Sequence, residues 1–253
     1  MLLSDFDYEL PLQLIAQEPT PAREEARLLR LGRRSGARSH HRVEDLPSLL
    51  TPGDLIVVNN TRVFPARLLG RRTPSGGAVE CLLLARLDEH RWDALMHPGQ
   101  KLKEGGRVVF EGDRHRLYLE VLERRFHGRR TVSLTTDGET DVDTVIDAIG
   151  HVPLPPYIKR EDQPRDRERY QTVYGRVRGS VAAPTAGLHF TPSLLQALAD
   201  GGIERAEITL HVGYGTFQPI RTEQIEQHRV AAEWFDVPWD AAARIRAARA
   251  AGR

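Results

Sequence analysis

Two loops of this sequence combine histidine with threonine and glycine, which are residue types that a pocket for acid–base chemistry needs. Residues 179–191 contain small residues, hydroxyls and His189, and residues 213–217 follow His211 after Val212. Because imidazole has an ordinary pKa of about 6.5, it can take up or give up a proton near neutral pH. His189 and His211 are therefore predicted to be the acid–base groups. Each segment also has a plainer interpretation when it is considered alone. His211 would be a structural histidine on a strand face, and residues 179–191 would form a tight glycine-containing turn.

The first loop is predicted to lead into a helix. Thr191 can cap the free N–H groups of a helix that begins at Pro192, a residue without an N–H. The apolar stripe of this helix would be Leu194, Leu195 and Leu198, ending at Asp200-Gly201-Gly202. A loop at a helix N-terminus presents N–H groups and partial positive charge, which suits a carboxylate or phosphate.

Two predicted strands lead into the other polar loops. Residues 206–212 alternate, with Thr209 and His211 on the face opposite Ile208. Residues 54–58 form a continuous apolar run, which predicts a strand covered on both faces and followed by the polar tetrad Asn59-Asn60-Thr61-Arg62. Ligands bind beyond the carboxyl ends of strands in open α/β sheets, so the tetrad is a candidate site. An Asn-Asn pair on its own is more commonly a turn.

The middle of the chain has a different pattern, with short apolar runs separated by Gly, Pro and charged turns. Six strands are predicted, at 66–69, 78–87, 92–96, 107–110, 117–122 and 131–134, followed by a helix at 141–149. Strands at this spacing indicate a small β-barrel or sandwich. The sequence therefore predicts a multi-domain fold, an α/β domain (1–62 and 151–253) interrupted by an inserted all-β domain (63–150) that is either a barrel or a sandwich.

Composition narrows the class of protein. The net charge is +1, so a polyanion would have to meet a local patch, and the arginine clusters are weak evidence because lysine occurs only at 101, 103 and 159. The single cysteine, Cys81, is predicted to be buried in a strand and excludes an internal disulfide. No dinucleotide loop, phosphate loop, zinc-spaced cluster or serine-hydrolase elbow occurs. Without a signal peptide or a membrane-length apolar run, a cytoplasmic location is expected.

Several segments, in order along essentially the whole chain, resemble one known family. They include Val58-Asn59-Asn60-Thr61-Arg62-Val63, Pro153-Leu154-Pro155-Pro156-Tyr157-Ile158 and Arg169-Tyr170-Gln171-Thr172-Val173-Tyr174, together with residues 6–11, 15–17, 52–55, 65–68, 179–191, 209–213 and 215–217. This pattern is similar to that of the S-adenosylmethionine:tRNA ribosyltransferase-isomerases of queuosine biosynthesis. The family's fold, an α/β domain interrupted by a barrel, agrees with the organisation predicted above.

The resemblance implies an unusual transfer. The ribosyl part of S-adenosylmethionine moves to the aminomethyl group of a 7-deazaguanine at the tRNA wobble position and is isomerised, giving epoxyqueuosine while adenine and methionine leave. S-adenosylmethionine would be a consumed substrate, so no cofactor and no metal are expected, and the protein is expected to act as a monomer on tRNA. Because the nucleophile is the RNA's own amine, no serine or cysteine nucleophile is required.

Further residues receive roles from this resemblance and from their chemistry. Threonine hydroxyls can hold ribose hydroxyls or a carboxylate, asparagines can read a base edge, and tyrosines can stack on adenine or on the splayed wobble base. The predicted substrate-binding residues are Asn59, Asn60, Thr61, Tyr157, Tyr170, Thr185, Gly187, Tyr214, Gly215 and Thr216. The predicted phosphate-binding residues are Arg62, Arg67, Lys159, Arg160 and Arg169.

The sequence departs from the family pattern in two places. Val230-Ala231 stands after His228-Arg229 where family members often carry Met-His, and the family's further C-terminal segments do not follow. A helix capped by Asp240 and ending at Gly252 is predicted there, with a chain truncated inside an α/β unit and an exposed apolar sheet edge. Two alternatives stay open: a truncated, inactive tRNA-binding module, and an enzyme that uses S-adenosylmethionine on a small molecule.

Overall fold

The computed structural model describes residues 1–112, 114–125 and 128–253. Its helices are α1 (Leu46–Leu49), α2 (Val142–Ile149), α3 (Asp166–Arg169), α4 (Pro192–Asp200) and α5 (Trp239–Ala250). Its strands are β1 (Arg27–Leu31), β2 (Arg38–Arg42), β3 (Leu55–Asn59), β4 (Thr61–Val63), β5 (Arg67–Thr73), β6 (Ala78–Arg86), β7 (Arg91–His97), β8 (Arg107–Glu111), β9 (Arg116–Arg124), β10 (Arg129–Thr136), β11 (Val177–Ser180), β12 (Glu204–Leu210) and β13 (Phe235–Asp236).

The six predicted strands of the middle region, β5 to β10, close into an antiparallel barrel in the order β10-β7-β6-β5-β8-β9. Alternate residues point inward, so that Leu68, Leu83 and Phe110 are fully buried. The helix α2 is capped by Asp141, whose side chain accepts a hydrogen bond from Thr144 N, and it buries Val145 against the same core. The predicted barrel is confirmed. Its strands all lie between residues 63 and 150, and the exact domain limits remain a prediction.

The rest of the chain forms short sheets with parallel pairs. The strands β3 and β12 run parallel, with β13 antiparallel at the far edge of β12, and β4 pairs in parallel with β11. The prediction that β3 is covered on both faces is wrong. Ile56 packs in a cluster with Leu194 and Leu198 of α4, whereas Val57 on the opposite face is 46% exposed.

Two side-chain amides complete the pairing of these short strands. Asn59 Nδ2 donates to Leu210 O at 2.8 Å, and Asn59 Oδ1 accepts from Leu210 N at 3.0 Å. Gln171 makes the same two-way contact with Val63, donating from Nε2 to Val63 O at 2.7 Å and accepting from Val63 N at 3.0 Å. Both amides therefore act as extra rungs, because each satisfies a backbone N–H and C=O that the short strands leave open.

The helix ends test the predicted caps. Thr191 Oγ1 accepts from Leu194 N at 3.2 Å, which confirms the start of α4. The cap predicted for the last helix is wrong, because α5 starts at Trp239 with Pro238 at its N-cap and Asp240 lies inside the first turn. Gly252 has a positive φ of 74° just after the end of α5, as its predicted C-terminal position requires.

Two further sequence expectations concern single features. Cys81 is fully buried in β6, as predicted, and burial raises the pKa of its thiol. Among the helices of the described ranges, none has the length and apolar character that crossing a membrane requires.

Candidate functional site

Three side chains from three different elements meet in one hydrogen-bond network. Thr61 lies in β4, Ser180 ends β11, and His211 follows β12. Thr61 Oγ1 lies 2.8 Å from His211 Nδ1 and 2.8 Å from Ser180 Oγ. Thr61 and Ser180 are buried and His211 is half-buried. The Thr61–Ser180–His211 network is therefore shielded from water on its hydroxyl side and open on its imidazole side.

The proton positions in this network follow from the inventory of donors. Ser180 Oγ accepts from Val212 N at 2.8 Å, so its proton is directed at Thr61 Oγ1. The proton of Thr61 then has two acceptors, His211 Nδ1 at 2.8 Å or Val177 O at 3.3 Å. In the first arrangement neutral His211 carries its proton on Nε2, and in the second Nε2 has a free lone pair. One arrangement of heavy atoms thus allows Nε2 of neutral His211 to be either a hydrogen-bond donor or a proton acceptor.

The His211 ring is held between a glycine and an aromatic ring. Trp234 stacks on it with centroids 4.9 Å apart and planes inclined by 25°. Gly179 has a φ of 156°, and a Cβ at that position would lie 2.4 Å from His211 Nε2. Only a residue without a side chain lets the imidazole occupy this place. Burial lowers the pKa of His211, so the ring is neutral at neutral pH.

The second predicted acid–base residue, His189, ends the short 3₁₀ helix Thr185–His189 that precedes α4. Its side chain is half-buried, and no hydrogen bond links it to the Thr61–Ser180–His211 network within the described ranges. In the same 3₁₀ helix Thr185 is exposed and Gly187 is buried. A Cβ on Gly187 would lie 2.4 Å from Tyr174 Oη, so this glycine permits close packing.

A cleft of about 320 Å³ lies between the proline-rich segment 152–158, the outer face of the barrel and the segment that follows His211. Tyr214 and Phe217 form one wall, with their ring centroids 6.2 Å apart. Arg67 and Arg160 also line the cleft. The cleft therefore brings together three residues predicted from sequence, Tyr214, Arg67 and Arg160, and segment 211–217 connects it to the network. Gly215 and exposed Thr216 lie in the same segment.

The asparagines and the other tyrosines occupy different surroundings. The amide of Asn59 is hydrogen-bonded to the backbone of Leu210. Asn60 is buried, and its amide lies 2.8 Å from Thr209 Oγ1. Tyr170 is buried in a cluster with Val63 and Val152, and burial raises its pKa to about 12. These positions give the two asparagines and Tyr170 structural contacts that do not fit base reading or stacking. Tyr157, in contrast, is 51% exposed.

Four of the predicted phosphate-binding cations are engaged within the protein. Arg160 binds both oxygens of buried Asp166 at 2.6 and 2.9 Å, and Arg67 pairs with Glu80 at 2.8 Å. Arg169 donates to Thr20 O at 2.7 Å, and Lys159 donates to Pro156 O at 2.5 Å. Arg62 is exposed and has no ion pair with any described residue. Of the five, Arg62 is placed best to meet an anion.

Sequence reasoning assigned no role to Ser180 or Trp234. The pairing of β11 with β4 that brings Ser180 to Thr61 is a long-range contact, and the stacking of Trp234 on His211 depends on β13 lying beside β12. Glu233 was missed as well, and its Oε1 accepts from Gly213 N at 2.7 Å. The one available signal was Ser180 itself, a hydroxyl next to Gly179 in the histidine-containing loop.

Comparisons with known proteins agree on one family. The model of the family described as "Queuosine biosynthesis protein" matches residues 3–253. The chain is 48% identical over its full length to the S-adenosylmethionine:tRNA ribosyltransferase-isomerase of Desulfitobacterium hafniense, and 49% identical to that of Symbiobacterium thermophilum, covering 72% of each. It is also similar to the crystal structure of S-adenosylmethionine tRNA ribosyltransferase from Thermotoga maritima, with 31% identity, a TM-score of 0.41 and coverage of 98% of this chain and 67% of that one. The chain belongs to the queuosine biosynthesis protein family.

Proposed function

We propose that this protein transfers and isomerises the ribosyl moiety of S-adenosylmethionine onto the 7-aminomethyl-7-deazaguanine wobble base of tRNA. The products are epoxyqueuosine in the tRNA, adenine and methionine. The observation that carries the proposal is the Thr61–Ser180–His211 network, which lies at the start of β4 and at the carboxyl ends of β11 and β12. In a member of this family, it supplies an acid–base group, His211, at the start of the segment that also lines a cleft of about 320 Å³.

The reaction needs a base early and an acid as adenine leaves. The sulfonium of S-adenosylmethionine withdraws electrons from C5′, so a positioned base can remove a C5′ proton. Departure of adenine is helped by a proton delivered to its leaving nitrogen. The lowered pKa of His211 keeps Nε2 available as a base at neutral pH.

Thr61 and Ser180 have positioning roles in this scheme. When Nε2 takes a proton, Nδ1 already carries one and donates it to Thr61, whose own proton goes to Val177 O. When the imidazolium then gives its Nε2 proton to the leaving adenine, the ring returns to the neutral form with its proton on Nδ1, and no hydroxyl proton has to move. His211 can therefore serve both steps, and His189 is the second candidate for either one.

The positions of the tyrosines and of the two histidine-containing loops suggest the remaining substrate-binding roles. Tyr214 in the cleft and exposed Tyr157 offer rings on which adenine or the wobble base can stack, with Thr185, Gly187, Gly215 and Thr216 nearby in the two histidine-containing loops. S-adenosylmethionine acts as a consumed substrate. The amine nucleophile comes from the RNA, so the protein's task is to orient it and to manage protons.

The direct test is incubation of the chain with S-adenosylmethionine and tRNA that carries the deazaguanine precursor. Adenine and the modified nucleoside are then quantified by chromatography and mass spectrometry. Formation of both in equal amounts is expected. Adenine release without modified tRNA contradicts the transfer, and tRNA binding without either product identifies a binding module that performs no chemistry.

The salt dependence of tRNA binding distinguishes the third candidate, an enzyme acting on a small molecule, from the other two. Phosphate contacts give a log–log dependence of the tRNA binding constant on salt with a slope of about −0.7 to −0.9 per contact. We expect a slope equivalent to several contacts. A flat response rejects tRNA as the substrate.

A further inference from the structure

The outer face of the barrel carries two grooves that continue the cleft beside the network. The first, of about 610 Å³, is lined by the outward residues of β5 and β6 and shares Glu80 with the cleft. The second, of about 910 Å³, shares His97 and Pro98 with the first and extends to Lys101 and Arg124. The cleft and the two grooves form one continuous path, because neighbouring depressions share lining residues. The two grooves beyond Glu80 are here called the barrel groove.

Strand register gives this path its direction. Arg67, Leu69 and Arg71 alternate outward along β5, and Leu69 is paired with Glu80 and Glu80 with His97. From Arg67 at the cleft to Arg71, the strand advances roughly 13 Å. The barrel groove therefore leads away from the cleft over a distance that only an extended substrate would use.

The barrel groove is positively charged at its far end. The described residues that line its second part include His97, Lys101, Arg124, Arg125 and Arg130, and none of them is acidic. Arg130 is buried and donates to Gly99 O and Leu102 O, so it belongs to the wall. Arg125 is paired with Glu123 at 3.2 Å. Arg71, Lys101 and Arg124 are exposed, and within the described ranges none of the three has a carboxylate partner at salt-bridge distance.

Three exposed arginines elsewhere on the barrel are paired with carboxylates. Arg91 pairs with Asp88 at 2.5 Å, Arg107 with Glu120 at 3.2 Å, and Arg116 with Glu111 at 3.0 Å. Arg71, Lys101 and Arg124 differ from these three arginines, because they line the path that leads from the cleft and have no carboxylate partner among the described residues.

We propose that the barrel groove binds the phosphate backbone of the RNA substrate, with Arg71, Lys101 and Arg124 as the phosphate contacts. This inference rests on the proposed function for its choice of partner. Cations without carboxylate partners release bound counterions when they meet phosphates, which is the main source of affinity for nucleic acids. The groove thus takes over most of the role that sequence reasoning gave to Arg67, Lys159, Arg160 and Arg169, which are engaged within the protein.

The test compares two triple variants with the same change in net charge. One removes the groove cations (Arg71→Gln, Lys101→Gln, Arg124→Gln), and the control removes three paired cations (Arg91→Gln, Arg107→Gln, Arg116→Gln). Binding of deazaguanine-containing tRNA is measured at several potassium chloride concentrations without S-adenosylmethionine. The groove variant should lose roughly 2 to 3 units of log–log slope, and the control should keep the wild-type slope.

Equal losses in both variants would reduce the effect to net charge and overturn the proposal, as would no loss in either. Thermal unfolding of both variants checks that they fold, and the single variant Lys101→Gln, with an expected loss of about 0.7 to 0.9 units, replaces the triple if it does not. Since binding is measured without turnover, failure of the groove is separate from failure of the reaction. An inactive wild type that binds tRNA through these cations would contradict only the proposed function.

Discussion

The barrel and the parallel strands that carry the candidate site are held together in different ways. The barrel closes all its strand edges and buries Leu68, Leu83 and Phe110 completely. In β3, only Val58 is buried, and the short strands around the site are joined by the side chains of Asn59 and Gln171. Apolar packing is tolerant in its details, whereas hydrogen bonds fix atoms to a few tenths of an ångström. The atoms of the candidate site are therefore fixed more precisely than those of the barrel core.

The largest effect on stability is expected from the barrel core. Phe110→Ala removes a fully buried ring and should lower the free energy of unfolding by about 3–5 kcal/mol, measured by urea denaturation. Phe235→Ala is the matched control, because Phe235 is 65% exposed and its loss should cost less than about 0.5 kcal/mol. Similar costs for the two variants would contradict the assignment of stability to the barrel.

The next effect tests the amide rungs. Asn59→Ala leaves the N–H and C=O of Leu210 without their partner and should cost about 1–3 kcal/mol. In Asn59→Ala, amide hydrogen exchange should become faster in β12 than it is in the wild type, and it should change less in β6. Gln196→Ala, which removes an exposed amide paired with Asp200, should cost no more than about 0.5 kcal/mol. Unchanged exchange in β12 would show that the rung is dispensable.

A smaller effect concerns the environment of His211. Trp234→Ala removes the ring that covers the imidazole, so the pKa of His211 should rise toward its ordinary value. Trp234→Phe keeps an aromatic face and should change the pKa less. Histidine NMR titration measures both variants. If the pKa of His211 is unchanged or lower in Trp234→Ala, Trp234 does not contribute to the lowered pKa of His211.

The smallest effect is the pH dependence of stability. The pKa of His211 is lower in the folded protein than in the unfolded chain, so on acidification the unfolded chain binds a proton first. The contribution of His211 is therefore complete above the unfolded pKa of about 6.5 and is lost as pH falls through the folded pKa. His211→Gln should flatten this part of the stability profile measured by denaturation. An unchanged profile would contradict the assigned shift.

The sequence predicted the barrel well because alternation and turn residues are local signals. It also located Thr61 and His211, since both stand at the ends of strands. It did not predict that Asn59 pairs with Leu210 or that Arg160 pairs with Asp166, because such partners become neighbours only when distant segments meet. For the same reason Tyr170, an aromatic residue in a polar segment, was expected at the surface and lies in the core.

The central claim is that His211, held by Thr61 and Ser180, manages the protons of ribosyl transfer. The most direct measurement is the single-turnover rate of adenine release and nucleoside formation by His211→Gln, with His90→Gln, an exposed histidine in the β6–β7 turn, as the control. We expect His211→Gln to lose about 10²- to 10⁴-fold in both rates while tRNA affinity is unchanged, and His90→Gln to match the wild type. A wild-type rate in His211→Gln would contradict the account.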